Sequence, residues 1–199
     1  MRRLTGALLT AVGALLLIVV VATQATAALS RDRARAEWAA EEARLAAESA
    51  RAPRLDESRP TARGAAVGRL LIPSIGLDEV MVEGVEERQL VAGPGHLPGS
   101  ALPGEQGNAI VSAHRDRHFR ALDELAVGDT IVTQTRHHRV VWRVAERRVV
   151  TAAAPVLRRS DSARLTLTTC WPVRFLGPAP DRLIVTAVVV PGVALAATK

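Results

Sequence analysis

Hydrophobic and polar positions divide this chain into three unlike stretches. Residues 4–29 carry no charge and are dominated by Ala, Leu, Val and Ile. A helix needs roughly 20 apolar residues to cross a bilayer, so this run predicts a membrane-spanning helix. The basic start Met1-Arg2-Arg3 should remain inside. Arg31, Arg33 and Arg35 beyond the span count against that orientation, and Asp32 and Glu37 partly offset them. Ala25-Thr26-Ala27 also fits a cleavage site, so a removed signal peptide stays open beside the uncleaved anchor. The apolar core, residues 6–22, is longer than the roughly 7–15 residues of a signal peptide. In both readings the remainder works outside the cytoplasm.

The second stretch, residues 30–52, is rich in Ala, Glu and Arg and lacks Gly and Pro, a composition that predicts helix. Glu37, Glu41, Arg44, Glu48 and Arg51 allow spaced ion pairs along it. Leu45 is its one large aliphatic side chain, so the expectation is a solvated stalk. Pro53, Pro60 and Gly64 then break the pattern into a linker. The expected organisation is an anchor over 1–29, stalk and linker over 30–65, a globular domain over 66–191 and a frayed tail over 192–199.

In the third stretch, short β-rich runs recur between Gly and Pro. They cover 68–72, 79–82, 108–114, 129–135, 139–150, 164–170 and 182–190. Runs of this length and spacing predict an all-β sandwich or barrel. Two short helical turns are predicted at 86–91 and 119–125. A domain of this size can bury a real core.

Charge changes the picture little. The formal net charge is +6, and Lys199 is the one lysine among 26 basic residues. Acidic residues are interspersed, and the densest basic region, 136–148, alternates with Val140, Val141, Trp142 and Val144 like a strand with a solvated face. No nucleic-acid-binding module accompanies it, so nucleic acid is not an expected partner.

Cys170 is the single cysteine. It has no intramolecular disulfide partner, and is either an inert buried side chain or a reactive thiol. It ends the run Leu165-Thr-Leu-Thr-Thr-Cys170, His114 ends Ile110-Val-Ser-Ala-His114, and Arg182 begins Arg182-Leu-Ile-Val. Functional groups at strand ends suit a site where loops meet a rigid scaffold. If the last two strands pair antiparallel, Cys170 and Arg182 come close, whereas spacing alone does not place His114 beside them. The chemistry would be thiol acyl transfer. A free thiol has a pKa near 8.5 and attacks as thiolate, which a neighbouring His or Arg favours. A histidine can pass protons to and from amines, and an arginine can hold an oxyanion. Arg174, four residues past Cys170, competes with Arg182 for that role. His114 and His118 are four apart but lack a zinc motif or a second cysteine, so no metal or other cofactor is expected. His96, within Gly93-Pro-Gly-His96-Leu-Pro-Gly99, is a candidate groove-lining residue.

These pieces resemble a sortase, a family of membrane-anchored bacterial cysteine transpeptidases. Gly107-Asn108-Ala-Ile with Ala113-His114-Arg115 resembles the catalytic-histidine segment. Leu165-Thr-Leu-Thr-Thr-Cys170 resembles the cysteine signature T-L-x-T-C, and Arg182-Leu-Ile-Val the catalytic-arginine strand. The resemblance covers about residues 66–190. It implies an eight-stranded β-barrel with short helices, Cys170 as nucleophile, His114 as acid/base and Arg182, rather than Arg174, at the oxyanion. Thr168, Thr169 and Trp171 would line the substrate groove. The implied substrates are surface proteins or pilins bearing an L-P-x-T-G-like sorting signal, cleaved after Thr. The implied acceptor is an amine of a peptidoglycan precursor or a pilin lysine. Cys170-Trp-Pro, Phe175-Leu-Gly and Ala179-Pro-Asp-Arg182 look most like class D, then class E, although class D commonly has Tyr where Trp171 stands. A hydrolytic cysteine peptidase on the same scaffold and a membrane-tethered binding module with an unreactive thiol are the alternatives.

Overall fold

The computed structural model describes residues 2–48, 62–154, 160–175 and 177–190. The expected tail over 192–199 and most of the expected linker lie outside them. Helix α1 (Arg2–Glu48) leads into strands β1 (Ala66–Ile72) and β2 (Leu77–Glu83), helix α2 (Glu87–Ala92), and strands β3 (Gly95–His96) and β4 (Asn108–Ser112). Strands β5 (Thr130–Thr135), β6 (Arg139–Thr151), β7 (Arg164–Trp171) and β8 (Asp181–Val189) complete the chain. The eight strands close in the order β1-β2-β3-β4-β7-β8-β6-β5, the barrel that the strand pattern and the resemblance predicted.

Alternation within each strand builds the interior. Ala109 and Val111 of β4, Val140, Trp142 and Val144 of β6, Leu165 and Leu167 of β7, and Leu183, Val185 and Ala187 of β8 meet in one core. Successive strand residues face opposite sides of the sheet, so these positions put the even-numbered residues of β7 and β8 outward. Trp142 is fully buried, and its Nε1–H donates to Thr133 Oγ1 at 2.7 Å. That bond removes the cost of burying an indole donor. The barrel closes where β1 meets β5. A Cβ at Gly68 would stand 2.4 Å from the Gln134 carbonyl oxygen, so only glycine lets the two backbones approach there.

β3 falls in the Gly/Pro loop, which carries no strand signal. Tertiary pairing makes it a strand: Val82 N–H donates to Pro94 O, Gly84 N–H to His96 O, and Leu97 N–H to Ile110 O, each at 2.9 Å. The turn predicted over 119–125 is confined to a single 3₁₀ turn, Leu122–Glu124.

The stalk departs from expectation. α1 runs unbroken from the expected anchor into the expected stalk as far as Glu48, and the stretch around Ala34 and Trp38 packs on the barrel. Ala34 and Trp38 are buried against Val80 and Val82 of β2, with Ala66 beside them. Arg35 reaches Glu79 at 3.8 Å, and Arg136 reaches Glu41 at 3.2 Å. One apolar indole at the right helical spacing suffices to dock a helix whose other apolar content is mostly alanine. The signal was present: Ala27, Arg31, Ala34, Trp38 and Glu41 recur at alternating spacings of four and three, a single helix face.

Candidate active site

Cys170 sits near the end of β7 between two partner strands. On one side it is the direct antiparallel partner of Arg182 on β8. Residues opposite each other share a face and hold their Cβ atoms about 5 Å apart. On the other side β7 runs parallel to β4, with Ile110 beside Thr166 and Ser112 beside Thr168. The ladder continues past the strand end, since Ala113 N–H donates to Thr168 O at 3.2 Å and Thr169 Oγ1 donates to Ala113 O at 2.7 Å. Continued two residues past the end of β4, that register would set His114 beside Cys170; His114 itself opens the following turn, its carbonyl accepting from Arg117 N–H at 3.3 Å and Phe119 N–H at 3.1 Å. Parity within the strands turns Cys170 and Arg182 outward, since Leu167 and Leu183 face the core. The three predicted groups thus gather at one end of three adjacent strands, with His114 two residues beyond the end of β4.

Cys170 is a free thiol of intermediate burial. Arg182 is half-buried and has no ion-pair partner among the described residues. Arg174 is differently placed. Its side chain is 63% exposed, its Nε lies 3.5 Å from Asp123 Oδ2, and its Nη2 donates to Glu124 Oε1. Two carboxylates already engage Arg174, whereas the Arg182 guanidinium remains uncommitted. His114 Nε2 lies 3.3 Å from Glu87 Oε1 on α2, within ion-pair reach but outside hydrogen-bond geometry.

The loop after β7 is tied to the histidine segment. Arg115 donates from Nη1 to Pro172 O at 2.6 Å and from Nη2 to Gly177 O. Sequence reasoning gave Arg115 no role of its own. Its planar fork can bridge two carbonyls at once, as a point-charge ammonium cannot.

The remaining candidates divide. Thr168 shares the outward face of Cys170, and its buried Oγ1 has no hydrogen-bond partner. Thr169 points to the core side, 2% exposed, and its hydroxyl is spent on Ala113 O. Trp171 is partly buried against the core, next to the start of the loop. His96 does not line a groove. It is 2% exposed, with Nδ1 2.7 Å from Glu83 Oε2 and Nε2 within 3.0 Å of both Ala101 O and Ser100 Oγ. Pairing of β3 with both β2 and β4 buries the ring, and its neighbours use both nitrogens.

A family profile for the sortase domain matches residues 70–190. Sortase D of Bacillus subtilis (strain 168) is 32% identical over 124 residues, which is 61% of this chain and 63% of the length of that relative. Among solved structures, sortase C1 of Streptococcus agalactiae superposes with a TM-score of 0.57 at 30% identity, over 63% of this chain and 68% of that one. The Clostridium perfringens sortase D5 transpeptidase superposes with a TM-score of 0.63, over 81% of this chain and 96% of that one. At 24% identity, that second likeness speaks for the fold alone.

Proposed function

Because this chain belongs to the sortase family and most resembles its class D, we propose that it is a membrane-anchored cysteine transpeptidase acting through Cys170, His114 and Arg182. The observation that supports this reading is the pairing of β7 with both β8 and β4, which gathers the strand ends near Arg182, Cys170 and His114.

In the proposed cycle the Cys170 thiolate attacks the carbonyl carbon of the threonine in an L-P-x-T-G-like signal. Arg182 donates hydrogen bonds to the oxyanion that forms. The intermediate collapses by breaking the C–N bond, and the departing amine takes its proton from the His114 imidazolium. A thioester on Cys170 remains. An incoming amine, from a peptidoglycan precursor or a pilin lysine, gives a proton to His114 and attacks the thioester. Collapse forms the new amide and releases the thiolate, so charge and protons balance over the cycle. Thr168, with an unused hydroxyl on the face of Cys170, and Trp171 at the loop are the groups we assign to signal binding.

The apolar part of α1 supports anchoring. One helix, Val12–Glu41, is long and apolar enough to span a membrane, and its aliphatic side chains from Val12 to Val21 are exposed. We place the barrel on the extracytoplasmic side, with the basic start inside.

The test is mass spectrometry of the full chain in detergent, incubated with sorting-signal peptides, with and without amines. An acyl adduct on Cys170 that passes to the amine supports transpeptidation. Adduct followed only by hydrolysis, with amine present, turns the reading to a peptidase. No adduct with any signal peptide overturns both.

A further inference from the structure

A cavity of about 380 Å³ lies between α1 and the barrel, and none of Cys170, His114 and Arg182 lines it. Arg31 of α1 lines one wall, and Arg117, His118 and Arg120, just after the His114 segment, line the other. Its polar lining is unfinished. Arg117 Nη1 is buried without a hydrogen-bond partner. The His118 side chain is only 2% exposed, its Nδ1 faces Glu79 Oε1 at 3.2 Å, and its Nε2 is buried with no partner. A buried polar atom left unpaired costs stability unless something in the site meets it. Charge is also unbalanced. Glu79 is engaged by His118 and by Arg35, leaving Asp116 as the one uncommitted carboxylate against three guanidiniums. None of those arginines has an ion-pair partner among the described residues.

Height identifies the ligand. A hydrocarbon core takes up roughly 20 residues of helix, so a span beginning near Leu4 ends near Gln24, which itself lines the cavity. Arg31 then stands on the order of 10 Å above that edge, at the outer margin of the headgroup layer, and its side chain is long enough to reach back into it. We propose that this cavity seats the phosphate of an anionic glycerophospholipid from the surrounding leaflet. Guanidiniums hold such oxygens by paired, charge-assisted hydrogen bonds. The proposal rests on the reading of α1 as a membrane anchor.

The experiment reconstitutes the full chain into vesicles of phosphatidylcholine with or without phosphatidylglycerol, then counts retained lipids by native mass spectrometry after gentle extraction. Preferential retention of phosphatidylglycerol is expected. Arg31→Gln and Arg117→Gln should each lower it by about tenfold or more, the loss expected when a charge-assisted hydrogen bond to the phosphate is removed. Arg31 stands on the helix surface, so its variant leaves the barrel core untouched. Arg33→Gln removes a charge at the same height from an exposed position and should leave retention unchanged. Equal loss in Arg33→Gln would reduce the effect to diffuse attraction, and absence of any preference would overturn the proposal. Complete displacement by millimolar inorganic phosphate would make this a free-anion site and overturn the lipid assignment. A chain that fails to float with either vesicle would sink the anchor reading first, which keeps the two failures distinct.

Discussion

Cys170 on β7 and Arg182 on β8 are directly opposed across an antiparallel ladder, both on the outward face. Side chains opposed in this way stand about 5 Å apart at Cβ, and Arg182 has no ion-pair partner among the described residues, whereas Arg174 is drawn off by Asp123 and Glu124. Arg182→Ala should lower kcat/KM by about 10²–10³, the usual cost of losing an oxyanion donor. Arg174→Ala should cost less than about tenfold, as expected of an exposed ion pair. Cys170→Ala should abolish acyl transfer at an unchanged melting temperature. Steady-state kinetics with a signal peptide and an amine check all three, and the reverse order of the two arginines would move the oxyanion role to Arg174.

Arg115 ties the loop after β7 to the histidine segment by two carbonyl contacts. Arg115→Ala should loosen that loop and raise KM for the peptide severalfold, with a smaller change in kcat. Arg115→Lys should not restore KM, because an ammonium lacks the fork that spans both carbonyls. Hydrogen exchange in the loop after β7 should rise in both variants. Unchanged exchange would show that the tether does not hold the loop.

Trp38 joins α1 to the barrel, 4% exposed, with its indole Nε1 unpartnered. Truncating a buried Trp to Ala costs about 3–5 kcal/mol, more than this small contact can sustain. Trp38→Ala should therefore release the helix while the barrel stays folded. Trp38→Phe should keep the helix docked, because it sheds an orphan donor whose burial costs about 1–3 kcal/mol. Limited proteolysis of the helix C-terminal to its apolar segment distinguishes the two. Equal resistance in both variants would rule out indole-dependent docking.

Arg69 bonds both carboxylate oxygens of Asp78, Nε to Oδ1 at 2.7 Å and Nη2 to Oδ2 at 2.6 Å. These hydrogen bonds, with the charges of Arg69 and Arg35, hold the Asp78 carboxyl below its ordinary value of 3.8 against the opposing effect of partial burial. A depressed carboxyl stabilises the fold fully above its unfolded value and loses that contribution as pH falls through the folded one. Wild type should therefore exceed Asp78→Asn in stability at neutral pH, by a modest margin because both partners are partly exposed. The margin should shrink below about pH 4. Denaturant melts at a series of pH values measure it, and a margin constant down to pH 2 would contradict the assignment.

Much of the molecule is legible in the residues themselves. Seven of the eight strands stand out by their branched residues, and Gly or Pro separates all of these neighbours but β5 and β6, which Arg136-His137-His138 joins. The short connection between β7 and β8 makes them antiparallel neighbours, so the closeness of Cys170 and Arg182 follows from chain continuity. These features depend on propensity and turn geometry, which act over a few residues.

What the tertiary structure alone decided is non-local. β4 and β7 are parallel partners with β5 and β6 between them in the chain, and only that pairing brings the end of β4, with His114 two residues beyond it, to the end of β7 that carries Cys170. The burial of His96 depends on a strand of two residues without intrinsic β preference, held by neighbours on both sides. The docking of Trp38 depends on a face of β2 left open by barrel closure. In each case the deciding term is the fit between surfaces far apart in the chain. No local pattern contains it, because pairing distant strands incurs loop-closure entropy that only the completed core offsets.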